Sequence, residues 1–242
     1  PPQADEADQL SVELLEAIEV SSARSGVSLK LTQLGLGFDA SLAAENLERI
    51  VIRAAQASRF VRIDMESSEY VQSTLDIFER LWARYRNLGV VIQSYLYRSD
   101  DDIARLIELG APVRLVKGAY DEPAEIAYPR KADTDASFIR LMEQLFSEQA
   151  LANGVVPAIA THDTKLIEWA KTHAARQGIS PEQFEFQMLY GIRPGLQRQL
   201  AAGGYRVRVY VPYGEQWYPY FMRRLAERPA NILFLLRNLA RA

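Results

Sequence analysis

The chain has 242 residues, 48% of them hydrophobic and 24% charged, with a formal net charge of −3. This composition suits one large globular core and gives no electrostatic footprint for nucleic acid. There is no cysteine, which excludes disulfides, thiolate nucleophiles, iron–sulfur clusters and cysteine–zinc sites, and no run of about 18 apolar residues reads as a membrane span.

Short apolar runs alternate with helical patterns along the chain. A helix is expected over about Ala7–Ser22, followed by a strand at Ser28–Leu34 and a helix at Ser41–Ala57 behind Asp39 as N-cap. Next come a strand at Phe60–Met65, a helix at Tyr70–Leu88, a strand at Val90–Tyr97 and a helix at Ser99–Leu109, whose first turn carries Asp100–Asp102. The strand Val113–Val116, helix Thr134–Ala152, strand Val156–Ala160 and helix Thr164–Gln177 continue the pattern. It closes with a strand at Phe184–Leu189, a helix at Gly195–Gly203, a strand at Val207–Val211 and a helix at Glu215–Arg241. Gly26, Gly89, Gly110, Gly154 and Gly178 each read as a helix stop. Strand and helix alternating this regularly predict a parallel sheet. Seven strands are one short of a (β/α)8 barrel. The chain starts Pro1-Pro2-Gln3 without a methionine, so a fragment lacking its first strand is the simplest expectation. A doubly wound open sheet is the alternative, weakened by the lack of a Gly-x-Gly-x-x-Gly after any strand. Residues 1–242 are read as one catalytic domain.

In a barrel the reactive groups belong at the C-terminal ends of the strands. Lys30, Asp64 and Arg114 fall on strand positions opposite the apolar ones, and buried charges are costly unless paired. Together they point to a site, although internal salt bridges at the other end of the barrel would also explain them. Tyr95, Tyr190 and Tyr210 read equally as site or core aromatics. Tyr220, Arg223, Arg224 and Glu227 share one helical face, a seat for a carboxylate or phosphate; a solvated, salt-bridged face is the commoner meaning of that spacing. Metal binding is not expected. The only histidines are His162 and His173: His162 stands at a strand end beside Asp163, and His173 reads as a surface residue on a helix.

These motifs, Lys30-Leu-Thr-Gln-Leu-Gly35, Ile63-Asp64, Gln93-Ser-Tyr95, Arg114-Leu-Val-Lys-Gly-Ala-Tyr120, Ala160-Thr-His162, Phe186-Gln-Met-Leu-Tyr-Gly191, Tyr210-Val-Pro-Tyr-Gly214 and Tyr220-x-x-Arg-Arg-x-x-Glu227, resemble the flavin-dependent proline dehydrogenases. Both the stand-alone bacterial enzymes and the catalytic domain of proline utilization A share them. The resemblance implies a distorted (β/α)8 barrel with non-covalent FAD at the strand ends and the last helix over the mouth. It implies oxidation of L-proline to Δ1-pyrroline-5-carboxylate by hydride transfer from C5 to flavin N5. Electrons would then pass to a membrane quinone, with functional coupling to a pyrroline-5-carboxylate dehydrogenase. A cytoplasmic protein, peripheral at the membrane, is expected. Lys30, Arg223 and Arg224 would hold the substrate carboxylate. Leu189, Tyr210, Tyr220 and Tyr120 would wall the ring, and Asp64 would pair with Lys30 near the amine. Arg114 would stand near flavin N5, and Gln93, Val116, Lys117, Gly118, Ala119, Thr161, His162, Arg224 and Glu227 would also contact FAD, Gly118 by admitting a close backbone approach. Met188 and Tyr190 beside Leu189, and the short loop Tyr128-Pro-Arg130-Lys131, depart from the family pattern. Rival readings are the same chemistry on hydroxyproline or another cyclic amino acid, a Schiff-base lyase using Lys30 or Lys117, and a carboxylate-binding barrel without catalysis.

Overall fold

A computed structural model describes residues 2–21 and 24–213, with the side chains of 2–8 left aside. Helix α1 (Pro2–Val20) precedes β1 (Val27–Leu29), α2 (Ala40–Gln56), β2 (Val61–Ile63), α3 (Ser68–Trp82), β3 (Leu88–Gln93), α4 (Ser99–Glu108) and β4 (Val113–Val116). Then follow α5 (Lys131–Leu145), α6 (Glu148–Ala152), β5 (Ala158–Ala160), α7 (Thr164–Arg176), β6 (Glu185–Leu189), α8 (Pro194–Ala202) and β7 (Arg206–Tyr210). The seven strands form one sheet in sequence order, and every pair is parallel. Among the described residues β1 and β7 are its two edges. The expected helix at 215–241 lies outside the described residues.

The sheet is curled. In a flat sheet β2 and β7, five strands apart, would lie about 24 Å from one another. Instead the Tyr210 hydroxyl at the end of β7 donates to Asp64, just beyond β2, at 3.0 Å. Arg114 on β4 likewise reaches Ser28 on β1 at 3.0 Å.

Strand parity decides which residues meet inside this curl. Residues in register on neighbouring parallel strands point to the same face. One face carries Val27, Leu29, Val61, Ile63, Leu88, Val90, Ile92, Leu115, Ile159 and Phe186, all buried beneath the helices. The other, concave face carries Ser28, Arg62, Gln93, Arg114, Glu185, Gln187, Arg208 and Tyr210. The apolar core therefore lies outside the strands, between sheet and helices, and the polar face lies within.

Several boundaries differ from the sequence expectation for identifiable reasons. The first strand ends at Leu29 instead of Leu34 because Glu66 captures both the N–H and the hydroxyl of Thr32, at 3.0 and 2.6 Å, and folds residues 31–38 into turns. Helix α3 stops at Trp82, and Gly89 is a strand residue instead of a helix stop. It sits in register with Arg62, and a Cβ there would come within 2.6 Å of Arg62 Nη1. The single helix expected over Thr134–Ala152 is two, because Ser147 accepts from Ala150 N–H at 3.2 Å and starts α6. Asp39 does cap α2, accepting from Ser41 N–H at 2.7 Å.

Candidate active site

The concave face holds two connected tiers of polar groups. In the tier nearer the N-terminal ends, Arg62 donates to the carbonyls of Val90 and Pro112 at 3.0 and 2.7 Å. Burial lowers the pKa of this guanidinium, and the charge of Arg114 adds to the effect. Beside it, Glu185 takes a two-pronged contact from Arg208 at 2.9 and 3.0 Å. Burial would raise the Glu185 carboxyl, but the hydrogen bonds from Arg208 outweigh it and hold it below its ordinary value. These three residues were not among the expected site groups. A signal existed: Glu185 and Gln187 alternate with Phe186 and Met188 as Arg62 and Asp64 alternate with Val61 and Ile63.

In the tier nearer the C-terminal ends, Arg114 is the hub. Its Nη1 donates to Asp64 at 2.6 Å, its Nη2 to Ser28 at 3.0 Å and its Nε to Gln187 at 2.5 Å, while its guanidinium lies 5.5 Å from the Tyr210 ring centroid. Asp64 spends its second oxygen on the Tyr210 hydroxyl. This corrects the expected Lys30–Asp64 pair. No hydrogen bond or ion pair joins those two among the described residues; Arg114 and Tyr210 hold the two Asp64 oxygens instead. Lys30 follows β1 and is half-buried at the start of the 31–38 turns.

The other expected residues that the structure describes stand near the C-terminal ends of strands or in the loops that follow them. Leu189 and Tyr210 are in register and share the concave face. Gln93 ends β3 on that face, and its buried Oε1 has no hydrogen-bond partner among the described residues. Tyr120 lies half-buried in the loop after β4, with Ala119 exposed beside it. Thr161 is buried, and its hydroxyl accepts from Asp163 N–H at 3.1 Å. His162 Nε2 accepts the N–H of Leu189 at 2.9 Å, so the imidazole ties the end of β5 to the end of β6. Tyr190 is exposed and contributes nothing to the core. His173 is no plain surface residue: its ring stacks on Trp169 at 4.6 Å and 14°.

Two expected cofactor residues also make defined contacts within the protein. Lys117 donates to Asp135 at 2.5 Å and Asp163 at 3.1 Å, joining β4 to α5 and α7. Burial opposes ionisation of both carboxyls, but Lys117, with Lys131 beside it, outweighs the penalty and holds both below their ordinary range. An ammonium donating to two carboxylates fits a structural cation and not a Schiff-base nucleophile. Gly118 has φ +113, and a Cβ there would lie 2.2 Å from the Tyr95 ring. Within the protein, this glycine makes room for Tyr95. Tyr220, Arg223, Arg224 and Glu227 lie outside the described residues.

A family model described as proline dehydrogenase matches residues 3–237. Proline dehydrogenase 2 of Bacillus subtilis is 43% identical over 238 residues, 98% of this chain and 77% of the relative. Proline dehydrogenase of Deinococcus radiodurans is 44% identical over 233 residues, covering 94% of this chain and 74% of its own length. The crystal structure of proline utilization A from Bdellovibrio bacteriovorus superposes with a TM-score of 0.82 at 27% identity, over 93% of this chain and 28% of that much longer one.

Proposed function

The chain belongs to the proline dehydrogenase family, and from that premise we propose that it oxidises L-proline to Δ1-pyrroline-5-carboxylate at the C-terminal mouth of the barrel, with FAD as the first electron acceptor and a quinone as the next. The observation that supports this most is the Arg114 hub. A guanidinium is held on three sides by Asp64, Ser28 and Gln187 on the concave face, and Asp64 and the Tyr210 bound to it stand at the C-terminal ends of β2 and β7, where barrel enzymes place their chemistry.

The residues fit a flavin. The buried Oε1 of Gln93, without a hydrogen-bond partner among the described residues, sits at the C-terminal end of β3 and suits a polar ring edge. Arg114 uses three of its five N–H donors on protein partners among the described residues, which leaves donors for an electron-rich ligand. Gln93, Arg114, Val116 and the backbone at Lys117–Ala119 would hold the ring system, with Thr161 and His162 alongside and Arg224 and Glu227 joining from the C-terminal segment. Bound FAD supplies a hydride acceptor at N5. The protein's part is positioning and electrostatics. Arg114 stabilises negative charge that develops beside it, and Asp64 with Tyr210 keeps that guanidinium from rotating. Lys30, with Arg223 and Arg224, would take the proline carboxylate, and Leu189, Tyr210, Tyr120 and Tyr220 would wall the pyrrolidine ring. When C5 loses hydride, the ring nitrogen loses its proton and the C–N double bond forms.

The test is the absorption spectrum of the purified protein before and after anaerobic L-proline. A flavin band that bleaches supports the reading. A flavin that stays oxidised with proline but bleaches with another cyclic amino acid would move the substrate. A colourless protein that takes up no added FAD would sink it.

A further inference from the structure

One chain of hydrogen bonds runs the depth of the barrel. Arg208 grips Glu185 at 2.9 and 3.0 Å, Gln187 donates through Nε2 to Glu185 Oε1, and Arg114 donates through Nε to Gln187 Oε1 at 2.5 Å. Arg114 then meets Asp64, and Asp64 meets Tyr210. Glu185, Gln187 and Arg114 are all buried, at 6%, 4% and 8% exposure, so water does not substitute for a missing partner.

The order of partners matters because an amide has two ends. A glutamine side chain presents a carbonyl oxygen at one end and an NH2 at the other, and turned by half a rotation it would aim two donors at the Arg114 Nε–H. A carboxylate accepts only. With Glu185 kept ionised by Arg208, the NH2 of Gln187 must face Glu185 and its oxygen must face Arg114. The structure thus assigns Glu185 as a positioning residue for the active-site cation: it acts through Gln187 to aim and hold the Arg114 guanidinium. This rests on the reading of Arg114 as the group that serves the reaction centre, and it extends the working site one tier deeper than the residues that can touch substrate or flavin.

The test compares three forms of the full-length protein as purified: the parent, Glu185→Gln, and the double variant Glu185→Gln/Gln187→Glu. The readout is hydrogen exchange of the Arg114 Nε–H, followed by 15N-edited NMR and identified by its loss in Arg114→Lys. In Glu185→Gln the amide at 187 loses the acceptor-only partner that holds its NH2 end, Arg114 alone is left to orient it, and exchange accelerates by about tenfold or more, the size expected for one charge-assisted hydrogen bond. In the double variant a carboxylate at 187 accepts from Arg114, while the amide at 185 donates to it, and exchange returns toward the parent rate. A role confined to pairing Arg208 is told apart in the same spectra: position 187 lies in register with Arg208, and a carboxylate at 187 that turns to Arg208 instead leaves the Arg114 Nε–H exchanging fast. Unchanged exchange in Glu185→Gln would overturn the assignment. So would fast exchange, or failure to fold, in the double variant. If Glu185→Gln alone does not fold, parental exchange in a folded double variant supports the assignment. Exchange does not depend on turnover, so a protein that shows the rescue yet never bleaches with proline keeps this assignment and loses the proposed activity.

Discussion

At the scale of single residues, the Arg114 hub makes sharp demands. Asp64→Ala would leave a guanidinium that is 8% exposed without its counter-ion. Removing one partner of a buried pair costs about 3 kcal/mol or more, chiefly by stranding the other charge, so the urea midpoint should fall accordingly, whereas Asp64→Asn keeps an acceptor and should cost less. Gly118→Ala asks an alanine to adopt φ +113 and to enter the Tyr95 ring; a loss of about 2 kcal/mol or more is expected by the same titration. The sequence made Asp64, Arg114 and Tyr210 visible as out-of-place polar groups on strands. It could not show their pairing, since Lys30 and Arg114 are equally plausible partners for Asp64 until the curl brings β4 and β7 across from β2. Gly118 was visible as a special position, but its neighbour Tyr95 comes from another strand-end loop and depends on the fold.

At the scale of elements, two devices tie the loops at the mouth to the helices. Glu122, in the loop carrying Tyr120, reaches the start of α3 and accepts from Ser68 N–H at 2.7 Å and Ser68 Oγ at 2.5 Å. The N-cap residue Ser67 makes no side-chain cap of its own, so a distant glutamate caps this helix. Glu122→Ala should cost about 1 kcal/mol and should raise amide exchange together in residues 118–127 and in the first turn of α3. The second device is Lys117 between Asp135 and Asp163. Both carboxyls are held below their ordinary value of 3.8, so the stability their charged forms contribute is complete above that value and is lost as pH falls through the folded values. Lys117→Met should therefore melt below the parent at pH 7, and the gap should close as the pH is taken below about 4. Helix and strand identities were legible from periodicity and caps, as Asp39 illustrates. Boundaries failed where a side chain from elsewhere intervened: Glu66 ending the first strand, Arg62 claiming the space at Gly89.

At the scale of the whole molecule, the sheet has a centre and two edges. β3 is buried along its whole length between two parallel neighbours, while β7 is largely exposed and has one neighbour among the described residues. Amide exchange should be slowest in β3 and β4 and fastest in β7; equal protection across the sheet would contradict this order. Alternation of strand and helix made the parallel sheet readable from sequence, but its closing curvature rests on side chains meeting across five strands, which local pattern does not encode. The placement of apolar residues on the outer face and polar ones on the inner face also bears on descent. Substitutions at inner positions alter charge and shape at the mouth without removing a methyl group from the layer beneath the helices, and substitutions in that layer leave the mouth's electrostatics alone. Outside the paired charges of the Arg114 hub, two largely separate sets of positions can thus drift at different rates, so a lineage built on this chain can acquire a taste for a different cyclic amine while the apolar layer beneath the helices, which never sees the substrate, stays as it is.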